Sequence, residues 1–324
     1  MNGSLSILIT YHNEKELLTE CLKSLAGQLD SCDEILIYDD ASKHPPQKYI
    51  PRGMFARVYR EEKNRGPAYG RNFLLSKARG EYVHFHDADD WFSDSWARRI
   101  RRIMISSHCD AIFTEASSYR DGKLVCQEVI GFREVNEPKK LVPFCIERFV
   151  LVPSGTYRKE VVQKIGGYRE SLWQSEDFDF HVRLANSGVK FELILEPLVF
   201  LRLRAESRSQ NKKETLRDAL ASVELLSHEI SSSYHVNLSQ KASKLGSELF
   251  EKGFYSKARE AFRLAKRLGN PSFEYKPVFY QRIASRFGQE TAEWVALMYR
   301  TLVPESIRKN ARSKTVPALK RSHS

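Results

Sequence analysis

Three short apolar segments of this chain each run directly into a cluster of polar residues, and this repetition restricts the possible folds more than any other feature. The segments are residues 4–10, 34–38 and 81–86, and the clusters that follow are residues 11–14, 39–42 and 87–90. Apolar residues at helical spacing lie between them, so the pattern predicts strands alternating with helices in a mostly parallel sheet. Because ligands bind at the carboxyl ends of strands in such sheets, the three clusters are expected to meet in one crevice.

The remaining pattern divides the chain into three parts. A strand at residues 56–60 and a helix at residues 69–78 belong to an α/β domain that is predicted to span residues 1–210. Residues 211–305 show helical periodicity without a convincing strand, which predicts an all-helical domain. Within it, residues 242–271 have the spacing of one tetratricopeptide-type helical hairpin. Residues 306–324 form a basic tail that is predicted to be disordered.

The composition limits the partners of the chain. The formal net charge of +11 indicates attraction to polyanions in general. Nucleic acid is not expected, because the basic residues are dispersed rather than interleaved with aromatic residues on one face. No apolar run approaches the roughly 20 residues that span a bilayer and no signal peptide is recognisable, so the protein is expected in the cytoplasm. Its basic tail is either solvated or attaches it peripherally to the anionic inner face of the membrane.

Three aspartates, Asp87, Asp89 and Asp90, directly follow the third apolar segment. Clustered carboxylates repel one another unless a cation or a proton neutralises them, and Mg²⁺ and Mn²⁺ prefer such oxygen ligands. A divalent ion there would bind a diphosphate and neutralise the charge that develops as it leaves. An EF-hand is excluded, because Phe92 and Arg98 stand where that loop needs Gly and Glu. The alternative is that the acids only cap the following helix.

Five motifs in this order resemble the inverting family 2 glycosyltransferases of the GT-A fold, over residues 4–209. The motifs are SILITYHNEKELLTECLKSLAGQ, DEILIYDDAS, NRGPAYGRN, GEYVHFHDADD and IGGYRESLWQSEDFDFHVRLANSG. They are similar to the family's nucleotide loop, its paired aspartates, its Asn-x-Gly to Arg-Asn signature, its DXD motif and its Glu-Asp segment. The resemblance implies a Rossmann-like, mostly parallel sheet flanked by helices, and the transfer of a sugar from a nucleotide-diphosphate donor.

The resemblance also implies roles for individual residues in binding the donor. The matching positions are Thr10, Tyr11, Glu14, Asp39, Arg71 and Asp87 for the donor, and Asp87 and Asp89 for the metal. A tyrosine ring can stack on a base and the Asp39 carboxylate can accept from a ring N–H, which favours a UDP-linked donor. The fixed guanidinium of Arg71 suits phosphate oxygens. Without the family pattern, Arg71 is interpreted as a surface salt bridge and Asp39 as a turn residue.

A second group of residues concerns the acceptor. Asp177 matches the family's catalytic base, and inversion requires a carboxylate opposite the leaving group to take the acceptor's proton. Alternatively, Ser175 and the acids after it simply begin a helix, with Ser175 as its cap. Trp173 and Glu176 are candidate acceptor-binding residues, because an aromatic face such as that of Trp173 can stack on a sugar ring.

One position departs from the family pattern. Arg204 stands where many members carry a histidine that helps to bind the metal or the diphosphate. Arginine stays protonated and cannot ligate a metal, so the metal site is expected to be weaker than its carboxylates suggest. Arg204 is instead a candidate to bind the diphosphate directly.

The predicted function is that of an inverting glycosyltransferase. It is expected to move a sugar from a UDP-linked donor to a carbohydrate or lipid-linked glycan acceptor in cell-surface polysaccharide or glycan synthesis, with Mn²⁺ or Mg²⁺ as cofactor. A dinucleotide-binding dehydrogenase is excluded, because no GxGxxG follows the first strand. The remaining alternative is a noncatalytic sugar-nucleotide or protein-binding module that works through the helical hairpin.

Overall fold

The computed structural model describes residues 3–204 and 211–303 of the chain. The chain divides into two compact units, of which the first ends at Leu238 and the second begins at Ser239. The predicted basic tail at residues 306–324 lies outside the described residues.

The first unit is built on a mixed sheet of nine strands in its described residues. The strands are β1 (Leu5–Tyr11), β2 (Glu34–Asp40), β3 (Arg57–Glu61), β4 (Tyr82–Asp87), β5 (Trp91–Phe92), β6 (Ala111–Arg120), β7 (Lys123–Cys126), β8 (Gly155–Arg158) and β9 (Phe191–Arg202). Their order is β3-β2-β1-β4-β8-β6-β9-β5, with β7 paired to β6. The first four strands in this order are parallel, as the sequence predicts, whereas β8 joins the sheet antiparallel to both β4 and β6.

Seven helices of the first unit are described. They are α1 (Glu16–Ser24), α2 (Gly66–Lys77), α3 (Trp96–Ser107), α4 (Leu141–Glu147), α5 (Lys159–Lys164), α6 (Glu176–Asn186) and α7 (Lys212–Glu229). The last of them, α7, lies beyond the predicted domain boundary at residue 210 but packs against α6. Its Asp218 carboxylate accepts the N–H groups of Trp173 and Gln174, both at 3.0 Å, so the first unit includes α7.

The register of the central strands fixes which polar residues are neighbours. Thr10 of β1 pairs with Asp87 of β4, and Tyr11 of β1 pairs with Asp39 of β2. The strands themselves are apolar and buried on both faces, which is typical of parallel strands covered by helices. The carboxyl ends of β2, β1 and β4 therefore lie side by side, as expected from the three polar clusters.

The second unit is helical over its described residues. Helix α8 (His235–Glu251) contains the division between the units, and α9 (Tyr255–Leu268), α10 (Val278–Phe287) and α11 (Gln289–Leu302) follow it. Ser239 contacts Ala265 and Gly246 lies against Phe262, so α8 and α9 run antiparallel as a helical hairpin. Nothing in the hairpin identifies the tetratricopeptide type, which stays a prediction. Among the described helices, none is both long and apolar enough to cross a membrane.

The close approach of α8 and α9 depends on Gly246. A Cβ atom at this position would lie 2.4 Å from the Phe262 ring, so we expect Gly246→Val to overpack the hairpin and lower the free energy of unfolding by about 1–3 kcal/mol. Glu248→Val, at an exposed position of the same helix, is the control for the valine itself. Urea denaturation of both variants measures the difference. Equal stabilities would mean that the two helices do not pack through Gly246.

Candidate active site

The polar ends of β1 and β4 are joined by a direct contact. The Thr10 hydroxyl donates a hydrogen bond of 3.2 Å to Oδ1 of Asp87. The Asp87 side chain remains 36% exposed, so it can still reach a ligand in the crevice. Two residues predicted to bind the donor therefore lie in contact, although 77 positions separate them in the chain.

A buried arginine links this strand end to α6. Arg71 of α2 is 3% exposed, and its guanidinium donates to Asp87 Oδ1 at 2.9 Å and to Glu176 Oε1 at 2.7 Å. Burial alone would lower the pKa of Arg71, but the two carboxylates outweigh it and raise that pKa. The interpretation of Arg71 as a surface salt bridge is therefore wrong, because the side chain is enclosed between two acids. Its third nitrogen, Nε, has no hydrogen-bond partner within the described residues.

Local features of the NRGPAYGRN segment hold Arg71 in place. The Asp40 carboxylate at the end of β2 accepts the N–H groups of Arg65 and Gly66, at 2.7 and 2.9 Å. This anchors the first turn of α2, where acidic groups are favoured by the helix dipole. One turn later, a Cβ atom at Gly70 would lie 2.6 Å from the Tyr38 ring, so glycine lets α2 lie close to β2.

The aspartates after β4 occupy three different environments. Asp87 contacts Arg71, Asp89 forms a 2.5 Å ion pair with Arg204, and Asp90 is buried, where it accepts the Arg202 N–H at 2.9 Å. Burial, followed by the charges of its neighbouring aspartates, raises the pKa of Asp90 well above its usual range. The alternative that these acids cap the following helix is wrong, because α3 has no acid in its first turn.

The side chains after β4 supply only part of the ligands that a divalent ion requires. Within residues 3–204 and 211–303, no group of three or more His, Cys, Asp or Glu side chains is arranged to hold a metal. Asp87 and Asp89 retain some exposure, whereas Asp90 is turned into the protein. The neighbouring His86 is buried, which lowers its pKa to about 4, and it stacks on Phe92 in the core. Two carboxylates can hold Mg²⁺ or Mn²⁺ when a diphosphate supplies further oxygens, so the site fits a metal that binds together with the donor.

Glu14 and Arg204 complete this side of the crevice. Burial is the main reason that the pKa of Glu14 is raised to about 7, the His12 and Glu14 N–H groups lower that pKa, and the smaller effects of Asp89 and Arg204 oppose each other. Glu14 therefore senses the charges of the ion pair of Asp89 and Arg204, and its role in the donor pocket stays a prediction. The Glu14 carboxylate also accepts the His12 N–H, which closes the loop after β1.

Tyr11 and Asp39, predicted to contact the base, are buried in this structure. The Tyr11 side chain is 1% exposed and its hydroxyl donates to the His44 carbonyl at 2.7 Å, so the ring presents no free face for stacking. Asp39 is 0% exposed and accepts from the Ser42 N–H at 2.9 Å and from Arg60 at 2.7 Å. Both residues hold the loops that form the pocket. Arg60 was missed from the sequence, and no motif there indicates it.

Asp177 lies in the first turn of α6, directly after Glu176. Ser175 has a left-handed backbone with φ of 58°, and its hydroxyl donates to the Thr215 carbonyl at 3.2 Å. Ser175 stands directly before α6 but its side chain makes no cap hydrogen bond, so the alternative interpretation is wrong about the cap. Its other part is confirmed, because the acids after Ser175 do form the first turn of a helix. Burial and the charge of Glu176 raise the pKa of Asp177 to about 7, while the Phe178 N–H and Arg71 lower it. A carboxylate with this pKa can exchange a proton near neutral pH.

Trp173, the predicted acceptor-binding aromatic, lies beside a cavity. Its side chain is 47% exposed, and its ring packs over Gly66 at the start of α2. The cavity has a volume of about 550 Å³. Its lining includes Glu61, Glu62, Arg65, Tyr69, Glu170 and Trp173. The lining therefore combines two aromatic rings with charged side chains.

The sequence of this chain is similar to known glycosyltransferases. Residues 6–166 match the family model described as glycosyl transferase family 2. An uncharacterized glycosyltransferase of Haemophilus influenzae is 28% identical over 274 residues, which cover 76% of this chain and 90% of that protein. The amylovoran biosynthesis glycosyltransferase AmsB of Erwinia amylovora is 24% identical over 67% of this chain and 75% of its own length.

Solved structures of low sequence identity share the fold. S. aureus TarS, residues 1–349, in complex with UDP-GlcNAc matches with a TM-score of 0.66 at 16% identity, covering 91% of this chain and 92% of that one. The mannosyltransferase PcManGT from Pyrobaculum calidifontis, in complex with GDP-Man and Mn²⁺, matches with a TM-score of 0.58 at 13% identity, covering 92% and 87%. The predicted α/β class with flanking helices and a helical C-terminal region is thereby confirmed.

Removing Arg71 tests whether it supports the site as the geometry indicates. Arg71→Leu would remove the guanidinium that Asp87 and Glu176 share. We expect a loss of about 3–5 kcal/mol in the free energy of unfolding at neutral pH, because removing one partner of a buried ion pair is strongly destabilising. Urea denaturation at neutral pH measures it.

The matched control is Arg133→Leu, which breaks an exposed arginine–glutamate pair of the same unit and should leave stability nearly unchanged. A result for Arg71→Leu indistinguishable from that control would contradict the bridging role of Arg71.

Proposed function

Residues 6–166 place this chain in glycosyl transferase family 2, and we propose that it transfers a sugar from a UDP-linked donor to a hydroxyl of a carbohydrate acceptor, with inversion. It is a glycosyltransferase, as the family and its relatives show. The proposal rests above all on Arg71, which ties the strand end of the DXD motif to the turn that carries Asp177. One guanidinium thereby holds both Asp87 and Glu176, the residue directly before Asp177.

The donor diphosphate is assigned to the crevice between Asp87, Asp89 and Arg204. A divalent ion bound with the donor would neutralise the charge that develops on the leaving diphosphate. Arg204 leaves Asp89 and turns to the phosphate oxygens, because a diphosphate offers a guanidinium the same planar pair of acceptors as a carboxylate. Thr10 and Glu14 border the same crevice. That the related TarS structure contains UDP-GlcNAc supports a UDP-linked donor.

Asp177 is assigned as the general base. As the acceptor oxygen bonds to the anomeric carbon, the bond from that carbon to the diphosphate breaks and the hydroxyl proton passes to the Asp177 carboxylate. The product is a glycoside of inverted configuration, a nucleoside diphosphate and a protonated Asp177. Its raised pKa suits the task, because a base is most effective when its pKa lies near the working pH.

The acceptor is assigned to the cavity beside Trp173. The exposed face of Trp173 would stack on a sugar ring, while Glu176 is held by Arg71 and positions the neighbouring base. The relative AmsB is named for amylovoran biosynthesis, which supports a role in polysaccharide synthesis with a carbohydrate or lipid-linked glycan acceptor.

Release of nucleoside diphosphate from a panel of nucleotide sugars, with and without Mn²⁺, tests the proposed glycosyltransferase function. Binding without any release would favour the noncatalytic module.

We expect Asp89→Ala to weaken metal-dependent donor binding while the fold survives. Donor affinity in the presence of the metal should fall by at least roughly 10–100-fold, which is the effect of removing a residue that only hydrogen-bonds to a metal ligand. Burial raises the pKa of Asp89, so its charge does not favour folding and its removal should be tolerated. Titration calorimetry with UDP-GlcNAc and Mn²⁺ measures the affinity. Asp94→Ala, which changes an exposed acid between β5 and α3, is the control. An Mn²⁺ effect preserved in Asp89→Ala would rule out the site.

We expect Asp177→Asn to lower kcat by about 10²- to 10⁴-fold with donor affinity unchanged, because the asparagine keeps the size of the side chain but cannot take the proton. In the unsubstituted enzyme, kcat should rise with pH through about 7, since only the ionised Asp177 is active. Burial, and then the charges of Glu176 and Asp87, raise the pKa of Asp177 to about 7 against the opposing effects of the Phe178 N–H and Arg71. This rise of kcat with pH should be absent from the variant.

Asp121→Asn, at an exposed turn of the same unit, should leave kcat and its pH profile intact. If Asp177→Asn retained transfer within a few fold under conditions where chemistry limits the rate, another group would be the base. Asp179 is a poor substitute, because its buried carboxylate is fully engaged by Arg169 and Arg183.

A further inference from the structure

Large apolar side chains are exposed on the last two described helices. On α11, Trp294, Met298 and Leu302 follow one another at intervals of four residues, so they share one helix face, and they are 39%, 52% and 77% exposed. On α10, Val278 and Phe279 are 62% and 41% exposed. Isolated apolar residues are normal on a protein surface, but a contiguous group of this size indicates a binding surface.

The exposed side chains of the two helices form one surface. The rings of Phe279 and Tyr299 lie 5.8 Å apart between centroids, which joins α10 to α11. We call this surface the α10–α11 apolar face, and its members are Val278, Phe279, Trp294, Met298, Tyr299 and Leu302.

The opposite sides of the same helices are already buried. Tyr280, Ala284 and Ala292 form a small core between α10 and α11, with Phe273 and Ile283 packed against it. The helices therefore bury one apolar side and expose another. The α10–α11 apolar face is therefore distinct from the side of these helices that packs into the core.

The charges around this face are positive. Helix α10 contains the exposed Arg282 and Arg286 and no acid. Of the two acids on α11, Glu290 is paired with Arg259 at 2.6 Å and Glu293 is buried. Over residues 239–303, lysine and arginine outnumber aspartate and glutamate by twelve to six. Residues 304–324, which follow α11 directly, contain six further basic residues and one acid.

We propose that the α10–α11 apolar face inserts into the surface of an anionic phospholipid bilayer. Tryptophan and tyrosine favour the boundary between lipid and water, while methionine, leucine and phenylalanine enter the acyl region. Exposed arginines on the same side meet the anionic headgroups, and the basic sequence after α11 adds to that attraction. No described helix can span a bilayer, so this is contact with one leaflet. The surface would bring the enzyme to a lipid-linked acceptor, but lipid binding itself requires no sugar transfer.

Vesicle flotation of the full chain tests the proposal. The double variant Met298→Ser/Leu302→Ser removes the two most exposed members of this face on α11, at 52% and 77%. We expect its partition onto vesicles of phosphatidylcholine and phosphatidylglycerol to fall by roughly tenfold or more, because each apolar side chain contributes separately to insertion. The unsubstituted chain should bind these vesicles in a salt-sensitive manner and bind pure phosphatidylcholine vesicles weakly.

The control variant is Phe55→Ser, which removes the most exposed phenylalanine of the first unit, at 82%, and should bind vesicles like the unsubstituted chain. Helical circular dichroism and the urea transition, unchanged in both variants, verify that they fold. A chain that ends at Val303 separates the tail from the face: it should keep part of its binding, and the double substitution should abolish the remainder.

Unchanged vesicle binding by the double variant would overturn the proposal. A second result would also overturn it: a dimer of the unsubstituted chain, seen in sedimentation, that the double substitution dissociates while vesicle binding persists. The face would then contact a second copy. Vesicle binding without sugar transfer would contradict the proposed function alone, and transfer without vesicle binding would contradict this inference alone.

Discussion

The site depends on one buried cation. Arg71 is enclosed between Asp87 and Glu176, and its charge must be compensated there because solvent does not reach it. Burying such a group costs several kcal/mol, which only well-aligned partners offset. The two carboxylates come from different elements, one at the end of β4 and one at the start of α6, so the compensation also fixes the distance between these elements. A change at Arg71 is therefore expected to disturb the proposed donor crevice and the turn of the proposed base together.

Carboxyl groups are crowded in and around the same crevice. Within the described residues they include those of Glu14, Asp87, Asp89, Asp90, Glu176 and Asp177, close to Arg71 and Arg204. The pKa values of Glu14, Asp89, Asp90 and Asp177 are raised, first by burial and then by neighbouring carboxylates. A diphosphate would bring further negative charge into this environment, and a cation that enters with it would offset that charge. This crowding is a physical reason for the proposed entry of a divalent ion together with the donor.

The sequence predicts the parts of this arrangement that depend on local periodicity. Strand and helix spacing placed the clusters after β1, β2 and β4, and the parallel register brought them together. The sequence could not predict which side chains contact one another. Arg71 and Glu176 are 105 positions apart, and Arg60 reaches Asp39 by a contact that no motif encodes. For the same reason Ser175 was interpreted as a cap, although its left-handed backbone turns the hydroxyl towards Thr215 of α7. Spacing shows which face a residue occupies, whereas its charge partner is decided by tertiary packing.

The proposed donor residues and the turn before Asp177 are held by contacts from different parts of the chain. The family match ends at residue 166, before Asp177 and before α7. Within it lie the strand ends, Arg71 and the aspartates that are proposed to meet the donor. Beyond it, Asp218 of α7 holds the backbone of Trp173 and Gln174, and Thr215 holds Ser175, so the turn before Asp177 is fixed by a helix outside the matched segment. With Asp177 as the proposed base, the acceptor would approach beside this turn. The packing of α7 against α6 is therefore where acceptor selectivity could change while the proposed donor site in the matched segment stays the same.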